Sequence, residues 1–511
     1  MRWFITALGI SLLVFLGSYN QPYYPVTWFD EGLTLQGALN LGQYDQYAMR
    51  SVEGFRVLDQ PLIANGPGIV LPVAAVFEVF GPGLIQARFL MVFYFVATAL
   101  TFFWLSSRFS GAISATLSTF FLLGIPDEGF VFLGRQVLGN VPALLYFFLG
   151  FLLFLELGRT QRFRYAVGAG ILFGLALVTK GQYWILIVAL GVILAADLTY
   201  YKQIGLLHAL TVLLGVFICL LAWSIVQYLL LGADRFTEHL SAIRSSANVT
   251  VFAFRAARIP GNLWYLIRSG FLVFVFPGLA LAAWDSRHRT PLGLGRFSLV
   301  VFVFLWLSWY VFGSVGWHRY AFEAYSAGLI FSGEAYLRIF SAGFSHGELF
   351  SKSNPKKRSF LNAGLLLTFF LISLSWAGKG LLGQVQRLNE NADTSPQMFS
   401  EYLNKNIAEG SVIESWEWEI DLLTPELAYH HPTNDWVDRE TARIQFGERS
   451  DAMYDPSAIH PDYLIVGPFA KWTGIYSNFL SSGCCIHVTT VGKYSLYEVM
   501  YIGNHPKENS P

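Results

Sequence analysis

Asp30 and Glu31 stand side by side in "TWFDEGLTLQGALNLGQYDQY", residues 27–47, just past the first apolar stretch of the chain. A carboxylate partly screened from water can take a proton from a hydroxyl or an amine as that group attacks an electrophilic carbon. Such a displacement needs a leaving group. Outside a cell, where nucleotide sugars are absent, a lipid-linked phosphate fills that role. The departing phosphate in turn needs cations or dipoles to take up its charge. Arg88, Lys180 and Arg319 each stand at the end of an apolar run and suit the task. Asp127 and Glu128, in "GIPDEGFVFLGRQ", add a second acidic pair, and Arg135 and His318 complete the polar set. Plainer readings stand beside each of these. Asp30 could cap a short amphipathic helix over 31–41, with Leu33, Leu35, Ala38, Leu39 and Leu41 towards the membrane and Glu31 favouring the helix's positive end. Lys180 could snorkel to the interface, Arg319 could anchor there beside Trp317 and Tyr320, and Asp127 and Glu128 could form a solvated turn. His318 reads as a polar interface residue sooner than as a metal ligand.

The scaffold that must position these groups is apolar. Of 511 residues, 54% are hydrophobic and 13% charged, about half the charged share of an ordinary soluble domain. Apolar runs recur at the length of about 17 to 25 residues that carries a helix across a bilayer. The fold class is therefore a polytopic α-helical membrane protein. Lys plus Arg and Asp plus Glu balance at 34 each, so no nucleic-acid partner is implied. Expected spans are 3–19, 87–105, 111–125, 140–157, 165–179, 182–199, 206–231, 267–284, 297–313, 321–340 and 360–378. The segment 62–80, "LIANGPGIVLPVAAVFEVF", carries Asn65, Pro67, Pro72 and Glu78 and suits an interfacial position better than a free-standing span. With it left out, the basic loops around Arg108, 158–164, Lys202, 286–296 and 351–359 share the side of Arg2, as the positive-inside rule requires. That leaves about eleven spans, an amino end in the cytoplasm, outer loops at 20–86 and 232–266, and the carboxyl end outside. The acids and cations above then gather on the outer face. Charges at membrane depth are costly and so are functional candidates.

Residues 1–384 form the membrane domain. From 385 to 511 the composition becomes that of a small α/β domain, placed outside the membrane by the same topology. Its expected elements are a helix over 395–407 with Ser395 as N-cap, strands at 411–416 and 463–467, and a hairpin over 485–499 with a Gly-Lys turn. His430 and His431 read as a surface pair, and Cys484 and Cys485 as two buried thiols sooner than as a strained vicinal disulfide. No zinc-type Cys/His spacing is present.

Several stretches resemble, in order along most of the chain, the polyprenol-dependent GT-C membrane glycosyltransferases. They are "FDEGLTLQGALNLGQY", "ARFL" at 87–90, "LVTKGQYWILI" at 177–187, "GWHRYAFEAY" at 316–325 and "YSLYEV" in the carboxyl domain. The nearest resemblance is to the bacterial relatives of protein O-mannosyltransferase and to the lipid A aminoarabinose transferase ArnT. The resemblance implies a GT-C-like fold in the plasma (inner) membrane. It implies inverting transfer of a hexose or pentose from a polyprenyl-phosphate donor to a lipid, glycan or protein acceptor on the outer side. By the same resemblance Asp30 is the catalytic base with Glu31 beside it, and Asp127 or Glu128 positions the acceptor or a divalent cation. Arg88 and Lys180 then hold the donor phosphate, and Arg319, at an outer helix end, joins them by its position in the sequence. A metal requirement stays open, as does any other cofactor. One departure stands out. Many relatives carry Lys-Pro-Pro or His-Pro-Pro before the interfacial segment, where this chain has Gln60-Pro61, so a basic phosphate contact is missing from that loop. Rival classes are a transporter or lipid-carrier flippase, which would place charges at mid-depth and show repeated halves, and a lipid-linked glycan ligase using an oligosaccharide donor.

Overall fold

Inside hydrocarbon, backbone N–H and C=O groups find partners only along their own helix, and helix covers every expected span in a computed structural model of the chain. The structure describes residues 2–56, 65–125, 128–345, 355–389, 393–448 and 452–501; Gln60, Pro61 and Asp127 lie outside them. The principal helices are Arg2–Ser18, Leu84–Leu123, Asn140–Thr160, Phe163–Thr179, Trp184–Ala196, Leu206–Thr250, Pro291–Phe312 and Pro355–Asn389. Two of these are really pairs. Leu84–Leu123 breaks at Gly111 (φ 80°) and Leu206–Thr250 at Gly232 (φ 75°), both in the left-handed region that favours glycine. By length and composition, five helices among the described residues are apolar enough to cross a membrane, or six if the bent pair 256–268 and 271–285 is one span. The chain is a polytopic helical membrane protein; the figure of about eleven spans rests on the sequence pattern.

The segment after Asn65 forms a helix, Pro67–Phe80, of 14 residues, short of the about 20 a span requires. It starts tight against the end of Phe163–Thr179: a Cβ on Gly66 would lie 1.7 Å from the Val178 carbonyl oxygen. Residues 233–250, expected as loop, are helical, because the chain turns at Gly232 and then continues its hydrogen-bond ladder.

The acidic segment differs from the amphipathic helix expected for it. Helix runs from Phe29 to Tyr44 with Trp28 at the N-cap and no side-chain cap, so Asp30 sits inside the first turn. Its buried residues run almost unbroken from Phe29 to Asn40. The cause is cover on both faces. Leu35, Ala38 and Leu39 pack into the core of the membrane helices, whereas Phe29 and Leu33 join Trp416, Trp418 and Phe479 in a core of the carboxyl domain.

That domain is built on a mixed sheet. A short hairpin from the first loop, β1 (Met49–Ser51) and β2 (Gly54–Arg56), precedes β3 (Val412–Ser415), β4 (Ala428–His430), β5 (Tyr463–Val466), β6 (Cys485–Val491) and β7 (Tyr494–Val499). The five-stranded order is β4-β3-β5-β7-β6, with β4, β3 and β5 parallel and β7 antiparallel to both its neighbours. The β6–β7 hairpin turns at Gly492 and Lys493, and the helix Ser395–Asn406 takes Thr394 as N-cap, one residue before the expected cap. His430 and His431 are buried, not a surface pair. The β1–β2 hairpin covers the β4 edge, with Val52 N–H donating to the Tyr429 carbonyl at 2.8 Å. His430 meets Glu414 at 2.5 Å, and His431 lies between the Ser415 carbonyl and Asp421 under the Trp418 ring. Cys484 and Cys485 are free thiols.

Candidate active site

A cavity of about 1120 Å³ lies between the membrane helices and the carboxyl domain, and Asp30, Glu128, Lys180, His318 and Arg319 all line it. Asp30 and Arg319 are 289 positions apart in the chain and form an ion pair through Asp30 Oδ2. The Arg319 guanidinium lies between two indoles, 5.3 Å from the Trp28 ring centroid and 4.9 Å from that of Trp317. Such stacking fixes the plane of a guanidinium as well as attracting its charge. Asp30 keeps 26% of its side-chain surface exposed, enough to meet a substrate. His318 stacks on Tyr265 with ring centroids 4.0 Å apart. Among the described residues, no group of three His, Cys, Asp or Glu side chains is arranged to hold a metal ion.

Glu31 points the other way. Its carboxylate takes a two-pronged contact from Arg88, Nε at 2.9 Å and Nη2 at 2.5 Å, and both side chains are fully buried. Thr27 Oγ1 and the Val137 N–H also donate to it. Neither Glu31 nor Arg88 lines the cavity. Placed this way, Arg88 meets a carboxylate where the resemblance implied a phosphate, and Glu31 faces away from the cavity that Asp30 lines. Arg135 is likewise structural. It donates to the carbonyls of Leu16, Tyr19 and Tyr24 and so fixes the bend after the first helix. A bidentate Arg–carboxylate pair holds position well, and Glu31 is the chain neighbour of Asp30.

Lys180 closes the helix Phe163–Thr179, its N–H donating to the Ala176 carbonyl. Its Nζ donates to Asn65 Oδ1 at 3.3 Å. Asn65 also accepts from Gly139 N–H at 3.0 Å and donates to Thr34 Oγ1 at 2.7 Å, joining three segments around the ammonium. Glu323, buried one turn after Arg319, accepts from Asn140. Among the described residues Lys180 thus has a neutral partner, Asn65, and no carboxylate in direct contact.

The opposite wall belongs to the carboxyl domain and was missed in the sequence. Gly32 makes it possible: a Cβ there would fall 2.4 Å from Glu419 N and 2.5 Å from Trp418 C. The two backbones are in direct contact, one residue on from Glu31. Glu417 and Glu419 line the cavity as a result. Glu417 accepts from the N–H groups of Phe469 and Ala470, and Glu419 accepts from Tyr494 OH at 2.7 Å. Burial pushes the Glu417 carboxyl up to about 7. Burial, then the charge of Glu417, raises Glu419 well above the ordinary carboxylate range. Asp438, which accepts from Ser246, is raised to about 6, chiefly by burial. The signal for the pair was present in "ESWEWEI": acids alternating with tryptophans in a segment with no basic residue.

No protein-family model matches the chain, and no curated protein matches it significantly. Solved structures do. ArnT from Cupriavidus metallidurans in the apo state matches with a TM-score of 0.64 at 14% identity, covering 97% of each chain. The same protein bound to undecaprenyl phosphate gives 0.63 at 13%, over 97% of this chain and 98% of that one. The Archaeoglobus fulgidus oligosaccharyltransferase in complex with Zn and sulfate gives 0.56 at 11%, over 96% of this chain and 73% of that one. At such identities the likeness is one of fold, and this chain shares the fold of ArnT over 97% of its length.

Proposed function

We propose that the protein transfers a glycosyl group from a polyprenyl-phosphate donor to an acceptor hydroxyl or amine in this cavity, by a single inverting displacement. The observation that carries this reading is the meeting of Asp30, Lys180 and Arg319 in one cavity, from three distant parts of the chain. The shared fold supports it, and so does the ArnT structure that holds undecaprenyl phosphate. In the proposed reaction the donor phosphate binds between Lys180 and Arg319. It competes with Asp30 for the guanidinium, so donor binding itself uncovers the carboxylate. Asp30 takes the acceptor proton as the new bond to the anomeric carbon forms. The bond from that carbon to the phosphate oxygen breaks, and the two cations take up the charge that develops. Glu31 and Arg88 serve by holding the first turn that carries Asp30. Glu128 stands where it can orient the acceptor; Asp127 lies outside the described residues. In this reading the cavity faces the outer side of the plasma or inner membrane, which the positive-inside pattern of the sequence supports.

The test is transfer itself. Protein in lipid vesicles is given radiolabelled undecaprenyl-phosphate sugars, hexoses and pentoses in turn, with a membrane extract as acceptor. Label should pass from at least one donor into a product, with undecaprenyl phosphate released. Movement of labelled lipid between leaflets without any transfer would favour the flippase class instead. Label passing only from oligosaccharide donors would favour the ligase.

A further inference from the structure

Gln136 lines the cavity, is 1% exposed, and among the described residues has no hydrogen-bond partner for either its amide nitrogen or its amide oxygen. A buried primary amide left without partners is costly. Loose packing does not account for it, because the backbone is tied on both sides. The carbonyl of Arg135 accepts from Gln21, the Val137 N–H donates to Glu31, and the Leu138 N–H donates to the Gln136 carbonyl at 2.8 Å. The buried Glu31–Arg88 pair therefore anchors the segment bearing Gln136 as well as the helix bearing Asp30. Two further neutral donors on the cavity wall, the indole N–H groups of Trp28 and Trp184, also lack partners among the described residues.

We infer that Gln136 recognises a pair of neighbouring hydroxyl groups on the sugar being transferred. A primary amide presents a donor and an acceptor side by side, and vicinal hydroxyls present the matching pair. A phosphate would be satisfied by Lys180 and an ammonium by a carboxylate; a neutral amide suits neither. The donor sugar is favoured over the acceptor because this segment continues through Gly139 and Asn65 to Lys180, the end of the cavity assigned to the phosphate. The inference rests on the lipid-phosphate reading above.

Binding separates the two. Wild type and Gln136→Met, close in volume but without amide hydrogen bonds, are compared in nanodiscs for affinity to undecaprenyl phosphate and to the same lipid carrying mannose, glucose or arabinose. Gln136→Leu serves as a second variant should the first fold poorly. The variant should bind the sugar-bearing lipid that wild type prefers about tenfold more weakly, the effect of one neutral hydrogen bond, and bare undecaprenyl phosphate unchanged. Equal weakening for both lipids, or no change for either, would overturn the role of Gln136 while leaving the lipid-phosphate reading in place. Failure of wild type to bind any of the four lipids would overturn that reading and the inference together.

Discussion

Asp30 and Glu31 are chain neighbours, yet a helical step of about 100° turns one towards the cavity and the other into the protein. The sequence marked the pair and could not divide its labour, because the partner that decides it, Arg88, is 57 positions away. Removing one member of a buried ion pair leaves the other charge uncompensated, at a cost of roughly 3–5 kcal/mol. Arg88→Met should therefore lower the thermal unfolding temperature sharply. Glu31→Gln with Arg88→Met should recover much of that loss, which differential scanning in detergent would show; additive losses would place the two in separate roles. Arg319 is predicted to act in chemistry. Arg319→Met should leave unfolding temperature nearly unchanged and reduce transfer by about a hundredfold, the usual consequence of losing one cation or donor at a developing charge. A variant with full activity would remove Arg319 from the mechanism.

The helix Phe29–Tyr44 works as an element because Gly32 lets the carboxyl domain rest directly on it. In an exposed helix interior, Gly→Ala is favourable by about 1 kcal/mol. Here the added methyl would meet backbone atoms 2.4 and 2.5 Å away, and neither backbone can yield without separating the elements. Gly32→Ala should speed amide hydrogen exchange at 416–420 and depress transfer, with the membrane helices unaffected. Unchanged exchange would show that the contact relaxes cheaply. Most elements were legible in the sequence, since apolar runs of spanning length and the "VGKY" turn carry local signals. The acidic helix was misread as amphipathic because its second cover, from Trp416 and Trp418 nearly 390 positions on, leaves no mark within its own segment. The buried state of His430 and His431 was hidden because their neighbours lie elsewhere in the chain: Glu53 of the first-loop hairpin approaches His430, and the Trp418 ring lies over His431.

At the scale of the whole molecule, two domains share one cavity, and the carboxyl domain's wall is where titration is displaced. Glu417 is raised from 4.5 to about 7 by burial, and Glu419 is raised further by burial and by Glu417. Both hold protons in the folded protein that the unfolded chain would release. Their contribution to stability is therefore full below the ordinary glutamate range and falls as pH rises, Glu417's share being lost by about pH 7 and Glu419's continuing to fall above the ordinary carboxylate range. Unfolding of the carboxyl domain, followed by near-ultraviolet circular dichroism, should occur at a lower temperature at pH 8 than at pH 5. Glu419→Gln should flatten the difference; an equal slope in the variant would assign it to other groups. The fold class and the membrane setting were legible from composition and apolar runs, while topology and the family resemblance grouped Asp30, Lys180 and Arg319 on one face together with Glu31, Arg88 and Arg135, which do not line the cavity. Gln136 was not legible, and "ESWEWEI" marked Glu417 and Glu419 as unusual acids without showing what they face, because only the docking of distant segments turns these residues into cavity wall. The central claim is that this cavity performs glycosyl transfer with Asp30 as the base. The measurement that tests it most directly compares wild type with Asp30→Asn, matched for unfolding temperature and donor binding, in single-turnover transfer from the preferred undecaprenyl-phosphate sugar. A fall of about a hundredfold or more is expected when a general base is removed; transfer by Asp30→Asn at the wild-type rate would contradict the account.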